Sequence, residues 1–95
     1  MNNREEFIQK MKAQLDQWGI EIDRLAERAE TAQAEAKTRY QAQIEVLRQQ
    51  REAAKLKLHE LQSSSEDAWD SVRESMESAR DSISKTIKDA MSHFK

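Results

Sequence analysis

The chain has 95 residues, 16 of them Lys or Arg and 18 Asp or Glu, for a formal net charge of −2. That balance excludes the positive field that draws proteins onto phosphate backbones, so nucleic acid is not an expected partner. With 36% charged and 37% apolar residues and a mean hydropathy of −1.00, the composition suits a narrow apolar seam better than a broad globular core.

Cysteine and proline are absent and glycine occurs once, so disulfides and thiolate chemistry are ruled out and nothing of the usual kind interrupts a helix. Residues 1 to 10 alternate in charge without the apolar run of a secretory signal, and no stretch has the length of a membrane span. A cytoplasmic location is the expectation.

From Phe7 to Leu61 apolar residues recur at steps of three and four. The seam runs Ile8, Met11, Leu15, Trp18, Ile22, Leu25, Ala29, Ala32, Ala36, Tyr40, Ile44, Leu47, Arg51, Ala54, Leu58 and Leu61, with Arg51 its one charged position. The pattern predicts one continuous helix over 3–62, heptad in its first turns and again after Ile44. Between Ala29 and Ile44 the steps become 3, 4, 4 and 4, a local period near 3.75, and the supercoil is expected to straighten there. Alanines at 26, 29, 32, 34 and 36 thin the seam, which fits a closely approaching neighbour. Gly19, inside the helix beside Trp18, marks a bend or a close contact.

Ser63, Ser64 and Ser65 break the rhythm and predict a turn, because serine hydroxyls compete for backbone hydrogen bonds. Ser63 with Glu66, or Ser64 with Asp67, has the spacing of a capping box that starts a second helix over 66–94. Its seam is Trp69, Val72, Met76, Ala79, Ile83, Ile87, Ala90 and Phe94.

The fold class expected is therefore all-α: a single domain, 1–95, built as a hairpin of one helix of about 60 residues and one of about 30. At about 1.5 Å per residue the second helix covers only half of the first. Tyr40, Ile44, Leu47, Leu58 and Leu61 are expected to pack against Trp69, Val72, Met76, Ile83, Ile87 and Phe94. Phe7, Ile8, Met11, Leu15, Trp18, Ile22, Leu25, Ala29, Ala32 and Ala36 would then lie uncovered, a stripe too large to leave in water. Self-association as an antiparallel coiled coil or bundle, with two-fold symmetry, is the expected remedy. Replacing Leu15 and Ile22 by serine should dissociate it.

Candidate chemistry is sparse. His59 and His93 lie on different helices with no second histidine or cysteine nearby in sequence, and the carboxylates are spread over helix surfaces. No catalytic, cofactor or metal site is expected, nor a small-molecule substrate. Ser71, Ser75, Ser78 and Ser82 at helical spacing read as a small-residue flank rather than a phosphoacceptor array. The alternative to a self-associating protein is a membrane-surface binder using the amphipathic stretch 66–94. Seven acidic residues against five basic ones from Glu66 to Lys95 oppose it.

One run resembles a known family: Phe7, Gln9-Lys10-Met11, Ala13-Gln14-Leu15, Trp18, Glu21-Ile22-Asp23, Leu25, Ala29-Glu30, Ala32, Ala34-Glu35-Ala36-Lys37, Tyr40, Gln43-Ile44-Glu45, Leu47, Ala53-Ala54, Lys57-Leu58, Leu61 and Ala68-Trp69. It is similar to the small bacterial coiled-coil proteins of the cyanobacterial stress-response type, over about two thirds of the chain. Gly19 and the serine-rich stretch 63–92 depart from that pattern. The resemblance implies a non-enzymatic protein connected with stress. The Ala-Glu-Lys stretch from Ala26 to Lys37 also resembles the repeats of late-embryogenesis-abundant proteins, which lack so continuous a seam of large residues.

Overall fold

The computed structural model describes residues 3–93. Three α-helices follow one another: α1 over Asn3–Glu30, α2 over Ala34–Gln62 and α3 over Glu66–His93. The all-helical class is as expected; the hairpin is not. The stretch expected to form one helix over 3–62 breaks at Thr31–Gln33, and the molecule measures 50 × 20 × 17 Å. Each helix of 28 or 29 residues is about 42 Å long, so all three lie side by side along the long axis.

Contacts at both ends fix the topology. Arg4 reaches the carbonyl oxygen of Ser64 and Arg51 that of Leu15, so α1 and α2 are antiparallel. Tyr40 donates to the carbonyl of His93, so α2 and α3 are antiparallel as well, and α1 runs parallel to α3. α2 packs closely on both neighbours, whereas α1 and α3 approach each other at few places.

The break at 31–33 uses no helix-breaking residue. Thr31 and Ala32 donate their backbone N–H groups to the carbonyls of Arg28 and Ala29, 3.2 Å in each case, which tightens the last turn of α1. Gln33 then turns extended, with φ −65° and ψ 154°, and its carbonyl accepts from the Lys37 N–H at 2.7 Å as α2 begins. An ion pair between Glu30 and Lys37, 3.3 Å apart, spans the turn.

The turn at 63–65 behaves as the serines predict, with one difference in the cap. The hydroxyls of Ser63 and Ser64 donate to the carbonyls of His59 and Leu61, closing the end of α2. Ser65, not Ser63 or Ser64, starts α3: its side-chain oxygen accepts from the Ala68 N–H at 3.3 Å. The carboxylates of Glu66 and Asp67 stand in the first turn, where the helix dipole favours them.

Among the described residues the fifteen that are buried all lie on the seams read from the sequence, six on α1, five on α2 and four on α3. Trp18, Ile22, Leu25, Leu47, Leu61, Met76 and Ile83 form its fully enclosed centre. Phe7, Ile8, Tyr40, Trp69 and Val72 cover the flanks and ends of this core.

Candidate interaction surface

The stripe expected to serve as an oligomer interface is instead the core of a single chain. Met11, Leu15, Trp18, Ile22, Leu25 and Ala29 are buried against α2 and α3; Phe7, Ile8, Ala32 and Ala36 are half-buried. The reason is the turn at 31–33, which folds α1 back so that the chain covers its own seam. Of the residues expected to pack in the hairpin, Ile44, Leu47, Leu58, Leu61, Met76, Ile83 and Ile87 are buried, and Tyr40, Trp69 and Val72 pack against the buried core. Phe94 lies outside the described residues.

Arg51, the charged position of the seam, and Gly19, the glycine beside Trp18, meet. The Nε–H of Arg51 donates to the Leu15 carbonyl at 2.8 Å, and its guanidinium lies flat on the backbone of α1 at Gly19. A Cβ at position 19 would come within 3.2 Å of Nε and Nη2. The charged residue is thus accommodated at the edge of the core by a carbonyl oxygen and by the one residue without a side chain.

At the end of the bundle where α1 begins, two cations sandwich two aromatic rings. Arg4 lies 4.6 Å over Trp69, Arg73 lies 5.1 Å over Phe7, and the two rings meet edge to face at 6.1 Å. Arg4 also donates to the carbonyls of Leu61 and Ser64 and to the Ser64 hydroxyl, so it serves the unpaired carbonyls at the end of α2. This cluster joins α1 to the α2–α3 turn and is structural in character.

Titratable groups do not converge. His59 stands near the 63–65 turn and His93 at the opposite end, both exposed, and among the described residues no three His, Asp or Glu side chains could hold a metal. The grooves between helices are open. One of about 360 Å³ between α1 and α2 has Leu15 and Leu58 as its floor and Lys12, Asp16, Arg51, Lys55 and His59 around it. Another, about 420 Å³ between α1 and α3, runs over Leu25 beside Arg24, Arg28 and Met91.

What the seams leave over is on the outside. Among the described residues Ile20, Val46, Leu56 and Met91 are the large apolar side chains in water, Leu56 the most exposed at 62%. Val46 and Leu56 share the outer face of α2 with Ala42, Gln49 and Ala53, at steps of 4, 3, 4 and 3, all exposed. α2 is accordingly the least amphipathic of the three helices, because it carries apolar residues on both faces. The sequence signal for this second stripe is the set of apolar residues out of phase with the core seam, which a reading of the dominant seam passes over. No family model, no curated protein and no solved structure matches the chain.

Proposed function

We propose that this protein is non-enzymatic and works by helix–helix association, with a second copy of itself as its partner, in a stress-related setting. The observation that supports the reading is the outer stripe of α2: Ala42, Val46, Gln49, Ala53 and Leu56 repeat with heptad spacing on a face that the bundle leaves in water. In that repeat Val46 and Ala53 take one core position and Gln49 and Leu56 the other. The charges beside the stripe favour a parallel two-fold pairing. Glu52 flanks it on one side and Lys57 on the other, so Glu52 of one copy meets Lys57 of the second, and the reverse. An antiparallel pairing would set Glu52 against its own equivalent.

Two large apolar side chains, two alanines and one glutamine make a short contact, so the association is weak and concentration-dependent. Sedimentation velocity over a concentration series tests it. A shift towards dimer that Val46→Ser with Leu56→Ser abolishes, with helix content retained, is the expected result; a chain monomeric at every concentration would refute the reading.

The membrane-surface alternative gains less support. Met76, Ile83, Ile87 and Ala90, the apolar face that α3 would lend to a bilayer, are buried in the bundle. No described helix is long and apolar enough to cross a membrane. The stress-related setting rests on the resemblance of the run from Phe7 to Trp69, and a protein level unaffected by osmotic, oxidative and desiccation stress would remove it.

A further inference from the structure

The connection between α1 and α2 has no glycine, proline or side-chain cap to fix it, and what surrounds it favours a helix. Residues 29–36 read Ala-Glu-Thr-Ala-Gln-Ala-Glu-Ala, with no glycine or proline, and all but Thr31 are good helix formers. None of the described residues takes a positive φ, so α1 ends without the left-handed residue that commonly closes a helix. Gln33 begins α2 without a side-chain cap. Beyond the backbone bonds of Thr31, Ala32 and Lys37, the side-chain contacts at the turn are exposed: the Thr31 hydroxyl on the Arg28 carbonyl and the Glu30–Lys37 ion pair.

We infer that 31–33 is a hinge, and that two copies exchange α1 by straightening it into one helix over 3–62. This goes beyond the outer-face pairing and does not need it. In the exchanged dimer each α1 packs between the α2 and α3 of the second copy, so every core contact of α1 is formed again between chains while α2 and α3 keep theirs within one chain. α1 remains antiparallel to the α2 it covers and parallel to the neighbouring α3, as in the single chain.

The register of the bundle fits a two-fold axis at the hinge. Arg51 with Leu15 and Arg4 with Ser64 are contacts centred on residues 33 and 34. Two straightened helices would therefore cross there, where Ala29, Ala32 and Ala36 leave room for close approach. Local changes in the seam's period between Ala29 and Ile44 fall in the same place. Exchange through a short hinge is an inexpensive route to a dimer because the new interface is the old core.

The test uses Gln33→Pro. Proline at 33 matches the φ of −65° in the closed turn, where the Gln33 N–H makes no backbone hydrogen bond, but it breaks a continuous helix. Wild-type and variant chains are refolded at high concentration and compared by sedimentation. In parallel, the single variants Lys12→Cys and Lys55→Cys, which line one groove, are mixed, co-refolded and treated with a short thiol cross-linker.

The expected results are an elongated dimer about 90 Å long, covalent joining of the two single-cysteine chains, and a dimer fraction at least about a hundredfold lower with Gln33→Pro. A dimer that survives Gln33→Pro, is lost with Val46→Ser and Leu56→Ser, and gives no cross-link would overturn the exchange while leaving outer-face association standing. A monomer under all conditions overturns both. Should Gln33→Pro fail to fold, as circular dichroism would show, the cross-linking result alone decides.

Discussion

The guanidinium of Arg51 rests on the backbone of α1 at Gly19, its Nε 2.8 Å from the Leu15 carbonyl and about where a Cβ on residue 19 would press. In an isolated helix, alanine is worth about 1 kcal/mol over glycine. Here the added methyl would meet Arg51 at 3.2 Å, and the side chain cannot retreat without lengthening its hydrogen bond to Leu15. Gly19→Ala is therefore expected to lower stability in the natural background. In an Arg51→Ala background the same change should raise it by up to about 1 kcal/mol, because only the helix propensity remains. Urea titrations of the four proteins of this cycle check the reversal of sign.

The seams themselves were legible in the sequence because burial leaves a period. Met11, Leu15, Trp18, Ile22 and Leu25, like Ile83 and Ile87 on α3, are buried where their spacing puts them. The turn at 31–33 was not legible, since Thr31, Ala32 and Gln33 are compatible with a helix and only the bundle's closure sets their conformation. The slip in step between Ala29 and Ile44 was its one trace, and a change of supercoil explains that equally well. With the turn hidden, the α1 seam read as an interface between copies. Arg4 left no sequence signal for its place over Trp69, because that contact joins residues 65 positions apart.

Arg4 holds the start of α1 to the end of α2 and the start of α3 through one guanidinium. Its charged donors serve the Leu61 and Ser64 carbonyls while its plane covers Trp69 at 4.6 Å. Arg4→Ala is expected to cost about 1–2 kcal/mol, the sum of a charge-assisted hydrogen bond at a half-exposed site and a cation–π contact. Arg4→Lys should recover less than half, since a compact ammonium can bond the carbonyls but cannot lay a planar, weakly hydrated group on the Trp69 ring at the same time. Unfolding followed by tryptophan fluorescence reads both.

Leu47 and Leu56 sit on the same helix with opposite surroundings, 0% and 62% exposed. Leu47→Ala removes a side chain from the enclosed core and should cost about 2–5 kcal/mol. Leu56→Ala should change the stability of the monomer by less than about 0.5 kcal/mol, yet weaken association if the outer stripe of α2 is an interface. Chemical denaturation at low concentration, where the chain is monomeric, separates the two effects.

Gln50 carries the one buried side-chain polar atom without a hydrogen-bond partner among the described residues, its Oε1. An acceptor left in that condition costs about 1–3 kcal/mol. Gln50→Met keeps the length of the side chain and removes the acceptor, so a gain of about 1 kcal/mol is expected. A thermal midpoint unchanged or lowered would mean that the amide is satisfied in solution.

The pair Leu15→Ser and Ile22→Ser distinguishes a seam between copies from a core within one. Were these residues an interface, the double variant would be monomeric and still helical. In the three-helix bundle they are buried at 6% and 2% exposure between α1 and its own neighbours, and each serine removes most of a buried side chain and adds a hydroxyl. At about 2–5 kcal/mol apiece the losses together rival the whole stability of roughly 5–14 kcal/mol available to a chain of this size. The double variant is expected to lose most of its helical circular dichroism at every concentration, and a monomer that keeps it would show that α1 does not pack within its own chain.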